Sequence, residues 1–409
     1  MRAWSPAEPT PRALEQVVYG GAVLLLTLPW LWPFATLGWP QEKETIQQDL
    51  AYFYPGQVLV SGYDILFFWV ARMIMMSYEL TGKPPFRDVY LHGLIFGKSY
   101  YRRRGGDMEL VSPKERRELG LDEAEKLPAG IEFKWEKMSK SKGNVIDPLE
   151  MFELFGVDAV RLALVAYSGQ GRTIEIDRQR ISGYRNFVNK LWNSFRFVNS
   201  VTEGITPEIF RGGVLAEGLA REDRWILTRL AETLNDASKA LNSYSFDVYI
   251  QTIYQFVWSD YCDWYLELVK TRVYGKEVAP DSCTAIAAKV VLLTVLEQVL
   301  RALHPVMPFA SEEMWQLLRA RLSGAATGEA CSSAPMVPAE KGTVIGFRDG
   351  FHATSICVAP WPSGESFADA KACEEIALLQ SVVGAIRNIR GEMALPPETK
   401  VDVLAAHPD

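Results

Sequence analysis

A chain of 409 residues, 48% apolar and 23% charged, has room for two to four globular domains. Its composition excludes a collagen, a disordered tail and a disulfide scaffold. The net charge of −7 and the pI of about 5.4 exclude a generally basic nucleic-acid protein, although a phosphate-bearing partner needs only a local track of Lys and Arg. Cys262, Cys283, Cys331, Cys357 and Cys373 form no CxxC pair, so no metal site is expected, and reduced thiols in a cytoplasmic protein are.

In chain order, Val17 to Trp39 is strongly apolar. It nearly reaches the length of a membrane span, but Pro29, Pro33 and Gly38 interrupt it. A buried segment or an ill-fitting start is the reading preferred to a span or a signal peptide. Gln57 to Gly62 reads as a short strand. Asp64 to Ser77 reads as a helix apolar almost all round, hence buried on most faces, and Asp88 to Ile95 as a second β-rich run. Strand, helix and strand over this length predict a βαβ unit of a parallel sheet. Ligands of such sheets bind beyond the carboxyl ends of the strands. That rule puts Ser61-Gly62-Tyr63-Asp64 and His92-Gly93 on one rim.

Phe96 to Trp135 reads as a polar surface insertion with a short hairpin and helix. Lys137 to Asn144 is a polar loop, in which Gly143 and Asn144 permit a tight backbone. Asp147-Pro148-Leu149-Glu150 opens a helix, with Asp at the cap and Pro in the first turn. Asp158 to Ala166 is a second helix. From Arg178 the pattern turns helical: Ile181 to Val198, Glu222 to Leu241, Phe246 to Thr271, Thr284 to Leu303 and Phe309 to Leu322 predict a helix bundle. Trp225, Trp258, Trp264 and Trp315 read as its core in preference to base-stacking platforms, and Arg185 and Arg272 as exposed, solubilising positions in preference to RNA-facing ones. Ser323 to Gly342 reads as a loop. Glu374 to Ala405 reads as a helix, a Pro396-Pro397 break and a strand-like Lys400 to Leu404.

The chemistry concentrates in Lys137-Met138-Ser139-Lys140-Ser141. Two lysines three apart beside hydroxyls can neutralise charge on a departing pyrophosphate. The same spacing also describes a solvated lysine loop. The five residues resemble the KMSKS signature of the class I aminoacyl-tRNA synthetases. Other segments resemble the valyl members of that family: Leu31 to Pro40, Asp64 to Met73 (a helix that the isoleucyl and leucyl members do not share), Asp223 to Leu227, Cys262 to Glu267, His304 to Phe309 and Ile386 to Arg390. The resemblance covers about residues 31 to 405 apart from 97–134. A subset of bacterial valyl enzymes has a similar insertion, beginning like Phe96-Gly97-Lys98-Ser99-Tyr100.

The resemblance implies a fold that is α/β and then all-α: the C-terminal half of a Rossmann-like catalytic domain, followed by a helical-bundle anticodon-binding domain. The implied division is 1–30 unassigned, 31–155 catalytic with the insertion at 97–134, 156–215 connecting, 216–365 anticodon-binding, and 366–409 a small end region. The implied activity is ligation of valine to tRNA(Val) using ATP with Mg2+. Lys137 and Lys140 would contact ATP phosphates, within an ATP-binding set of His92, Gly93, Lys137, Met138, Ser139, Lys140 and Ser141. Asp64 and Trp69 would belong to the amino-acid pocket. Read singly, Asp64 could instead cap a helix, His92-Gly93 could be a turn, and Trp69 could be core. No His-x-Gly-His occurs and no editing domain is recognised. The expectation is therefore a fragment, catalytically incomplete alone, acting with a separate N-terminal half or as a tRNA-binding piece, with no membrane partner. Its half-sheet would leave an open edge and an uncovered apolar face.

Overall fold

The computed structural model describes residues 43–122, 124, 126–169, 173–176, 178–275, 278–279, 282–322, 344–345, 350–362, 367–396 and 399–400. The apolar start, Leu31 to Pro40, the 323–342 loop, Cys331 and the strand-like end beyond Lys400 lie outside the described residues. Two compact units are present. One comprises the described residues up to Gly97 with Trp135–Met138 and Ser168–Glu175. The other comprises Lys98–Lys134, Ser139–Tyr167 and the chain from Ile176 onward.

In the first unit, helix α1 (Glu44–Phe53) leads into β1 (Gly56–Gly62). A crossover returns the chain to β2 (Phe86–His92), which pairs parallel with β1. The crossover runs as a 3-10 turn at Tyr63–Ile65, a π turn at Leu66–Val70 and α2 (Ala71–Thr81). Gly82 ends α2 with a left-handed φ of 70° and returns its N–H to Tyr78, a glycine helix stop. This is the βαβ unit expected from Gln57 to Ile95, and its core is small. Val70 and Met73 are fully buried, packed by Leu59, Leu66, Trp69, Ile74, Phe86 and Val89.

The expectation that Asp64 to Ser77 is buried on most faces fails. Phe67 is 81% exposed, Phe68 69% and Met75 70%. Two strands offer the helix one covering surface, so its remaining apolar positions stay in water. Apolar composition alone carries no information on what covers a face.

Strand β3 (Ile95–Arg104), in the second unit from Lys98 on, forms a hairpin with β4 (Asp107–Leu110), followed by α3 (Pro113–Glu118) and by β5 (Ile131–Lys137), which belongs to the first unit from Trp135 on. The expected hairpin and helix are present. The insertion is more than polar surface, however: Tyr100, Val111, Leu121 and Ile131 are buried together with Leu127 packed on them. Helices α4 (Pro148–Phe155) and α5 (Val157–Ala166) follow, and Asp147 caps α4 by accepting from the Leu149 N–H.

The bundle holds α6 (Arg178–Val201), α7 (Pro207–Gly212), α8 (Arg221–Asn242), α9 (Phe246–Gln255), α10 (Leu266–Val273), α11 (Cys283–Leu303), α12 (Pro308–Leu322) and α13 (Ala370–Glu392). α9 runs into α10 through ten residues of π spacing, Phe256–Tyr265. Phe256 and Val257, Tyr261 and Cys262, then Tyr265 and Leu266 are the buried positions. Their recurrence every four to five residues matches a turn wider than 3.6. α11 is long and apolar enough to cross a membrane, but 78% of its most apolar window is buried inside the protein, as for a core helix.

Arg272 corrects the sequence reading: it is buried. Its guanidinium donates to both oxygens of Asp223, at 2.8 and 2.7 Å, and lies 2.8 Å from Glu222. Asp223, itself fully buried, also accepts from the Tyr265 hydroxyl at 2.7 Å and from the Ala220 N–H. One carboxylate thus ties α8 to the π segment and to α10. Trp225 and Trp315 are core, as expected. Trp258 and Trp264 are only half-buried: Lys190 lies 3.9 Å over the Trp258 ring and Arg387 lies 5.6 Å over that of Trp264. Arg185 is exposed, as expected.

Because truncating one partner strands the other charge inside, Arg272→Met is expected to destabilise the fold by about 3–5 kcal/mol. Urea unfolding followed by circular dichroism measures this; a loss below about 1 kcal/mol, the level of a surface pair, contradicts it.

Candidate functional site

The register of β1 and β2 sets Gly62 beside His92. Ser61-Gly62-Tyr63-Asp64 and His92-Gly93 therefore share the carboxyl end of the two parallel strands, as the sequence leads one to expect. His92 Nδ1 donates to the Gly93 carbonyl at 2.8 Å. β5 ends at Lys137, whose ammonium donates to Asp64 Oδ2 at 2.6 Å. Gly62 leaves room for that carboxylate, since a Cβ there would come within 2.6 Å of Asp64 Oδ1. The Met138 N–H is bonded to the Ile95 carbonyl, so the chain leaves β5 in a fixed direction.

Asp64 is paired rather than used as a cap: no side chain caps the turn at Tyr63. Its hydrogen bond to Lys137 holds the carboxyl below its ordinary range, against a smaller opposing effect of burial. Asp64, His92, Gly93, Lys137 and Met138 thus lie together in the first unit. Trp69 sits elsewhere in that unit, half-buried against Val70 and Met73.

The remaining loop residues belong to the second unit. Lys140 and Ser141 are exposed and Ser139 is half-buried. The Ser139 and Ser141 hydroxyls are 2.7 Å apart. Reverse turns run from Lys142 N–H to Ser139 and from Gly143 N–H to Lys140. Lys140 makes no ion pair among the described residues. The fully buried Asn144 accepts from the Ser139 N–H at 2.8 Å, closing the loop across five residues. Sequence reading assigned Asn144 only backbone tolerance; its place directly after a left-handed Gly143, φ 65°, was the available signal. A cleft of ≈ 290 Å³ in this unit is lined by Arg116 with Asp122 and by Arg178 with Glu150. Both pairs are formed, so their charges offset one another. Among the described residues no group of three His, Cys, Asp or Glu side chains could hold a metal ion.

This parallel unit with its lysine loop, followed by a long helix bundle, defines a class that sequence comparison also identifies. The family of tRNA synthetases class I (I, L, M and V) matches residues 30–100 and 132–177. The anticodon-binding domain of tRNA ligase matches residues 223–405. The chain belongs to the class I tRNA synthetases. Within that group it is similar to valine–tRNA ligases. It is 41% identical to that of Protochlamydia amoebophila over 382 residues, 91% of this chain and 38% of the relative. It is 40% identical to that of Chlamydia muridarum over 375 residues, 90% of this chain and 37% of the relative. It thus spans under two fifths of their length. Among solved structures, a Mycobacterium tuberculosis methionyl-tRNA synthetase in complex with methionyl-adenylate aligns with a TM-score of 0.47 at 18% identity, over 69% of this chain and 47% of that one.

The Asp64–Lys137 pair gives a pH expectation. A depressed carboxyl pKa means the pair persists as pH falls through the ordinary carboxylate range and is lost only below it. Carbon-detected NMR titration of Asp64 is expected to give a midpoint below that of a free Asp. Lys137→Ala is expected to return it upward, and an unchanged midpoint contradicts the pairing.

Proposed function

We propose that the chain carries the signature-loop half of a valine-activating site and the tRNA-binding bundle of a valine–tRNA ligase. The observation that supports this most is the placement of Lys137 at the carboxyl rim of the β1–β2 pair, beside Asp64 and His92 and leading directly into Ser139-Lys140-Ser141. On this reading ATP enters with Mg2+ as its salt, and Lys137 and Lys140 bind its phosphates. Met138, Ser139 and Ser141 shape the loop around them, while His92 and Gly93 border the adenosine. Asp64 and Trp69 belong to the valine pocket, with Asp64 presenting Lys137 and Trp69 forming apolar wall.

A valine carboxylate oxygen attacks the α-phosphorus of ATP, the bond to the β-phosphate breaks, and pyrophosphate leaves with its negative charge met by the lysines. A hydroxyl of the terminal tRNA(Val) ribose then attacks the valyl carbonyl and AMP departs. Positioning and electrostatics supply the acceleration. The reaction is cytoplasmic and involves no membrane.

A second reading, a tRNA-binding fragment without activation chemistry, draws on the contrast between the units: the bundle is densely packed, while the β1–β2 unit leaves Phe67 and Phe68 in water.

Valine-dependent ATP–pyrophosphate exchange separates the two. The chain is assayed alone and with a separately supplied N-terminal half of a valine–tRNA ligase. Exchange that appears only on addition is the expected result. Lys140→Ala is expected to lower it roughly 100-fold, the cost of one lost electrostatic donor, with tRNA affinity unchanged. No exchange in either case, with tRNA still bound, favours the second reading, and full exchange by Lys140→Ala sinks the assigned role.

A further inference from the structure

The class I match is interrupted between residues 100 and 132, and the insertion around that gap, residues 97–134, touches the lysine loop at three places. In β3, the Ser99 hydroxyl accepts from Asn144 Nδ2 at 3.0 Å, and the same Asn144 amide holds the Ser139 N–H. At the start of α3, the Pro113 ring lies against Gly143, where an added Cβ would come 2.2 Å from Pro113 Cγ. Within α3, Arg116 Nη1 donates to the Gly143 carbonyl at 2.8 Å.

Each contact is itself held in place. Arg116 is fixed by a two-point bond to Asp122, Nε to Oδ2 at 2.7 Å and Nη2 to Oδ1 at 2.5 Å, and its guanidinium lies 5.1 Å over the Tyr100 ring. Tyr100 belongs to the insertion's own core, and its hydroxyl donates to the Leu121 carbonyl at 2.9 Å. Pro113 is the first residue of a helix capped by Ser112. A loop that only rested against its neighbours would not meet a buried hydroxyl, a prearranged guanidinium and a proline ring from three points of one small folded element.

We infer that the insertion is a brace for the lysine loop, with Ser99, Pro113 and Arg116 as positioning residues that set the resting place of Lys140. None of them touches a reacting atom. The brace acts on the backbone from Ser139 to Asn144, so its release frees the segment carrying Lys140 without altering any charge on it. The catalytic consequence rests on the function proposed above; the brace itself does not.

Tryptic cleavage after Lys140 and Lys142 tests the brace without substrate. When opening is fast, cleavage follows the population of the open loop. Losing one of these hydrogen bonds, charge-assisted at Arg116 and neutral at Ser99, is therefore expected to speed cleavage at these two lysines about fivefold. Arg116→Ala and Ser99→Ala are each expected to do so, with cleavage after the exposed Arg211 in the bundle unchanged. Arg116→Lys, which keeps the charge but loses the two-point bond to Asp122 that aims the guanidinium at the Gly143 carbonyl, is expected to speed cleavage as Arg116→Ala does. Ser99→Ala removes a single hydroxyl, so it reports even if the Arg116 variant folds poorly. Parent-like cleavage in Ser99→Ala and in any folded Arg116→Ala overturns the proposal, as does faster cleavage matched at Arg211, which would mean general loosening. Because ATP plays no part, loss of the synthetase reading and loss of the brace give different results.

Discussion

The parallel pairing of β1 with β2 is the constraint on which the candidate site depends. Parallel strands cannot be joined by a tight turn, so the chain between them must cross over one face. Here the crossover takes residues 63 to 85, and its first turn leaves the carboxyl end of β1. That geometry puts Asp64 at the rim, opposite the end of β2 and within a hydrogen bond of Lys137 at the end of β5. The apolar stretch Asp64 to Thr81 secures the strands by burying Val70 and Met73 beneath them. The same stretch turns Phe67 and Phe68 outward.

The bundle is organised by a different interaction, the buried carboxylate with several donors. Asp223 binds Arg272 and Tyr265. Glu297 binds Arg301, the Trp315 indole and the Gly350 N–H. Asp158 receives the Phe309 and Ala310 N–H groups at the start of α12. Burying such a charge is costly unless its lone pairs are used, and here Asp223 and Glu297 each have partners from separate segments. Apolar side chains slide past one another with little preference between registers, whereas a carboxylate with three fixed donors accepts only one. The long helices are therefore locked in register by a few polar points inside an otherwise apolar core.

Much of this was legible in the sequence, for identifiable reasons. Strand, apolar crossover and strand announced the parallel unit; Asp147-Pro148 announced the start of α4; helical periodicity announced the bundle. The lysine loop was visible because five consecutive residues carry its chemistry. What escaped depends on through-space neighbours. Arg272 looks like any exposed helical arginine until Asp223, forty-nine positions earlier, is placed beside it. Asn144 looks like a turn residue until Ser99 arrives from forty-five positions away. Phe67 and Phe68 look like core because composition reports apolarity and says nothing of the covering surface. The π spacing of Phe256–Tyr265 was recoverable from its burial rhythm, yet a search at 3.6 residues per turn passes over it.

The central claim is that Lys137 and Lys140 bind the phosphates of ATP. The most direct test is the rate of lysine acetylation at each position, read by mass spectrometry with and without MgATP, on the chain combined with an N-terminal synthetase half. The account expects ATP to slow modification of Lys137 and Lys140 and to leave the exposed Lys114 and Lys239 unaffected. Equal modification of Lys137 and Lys140 with and without ATP would contradict it.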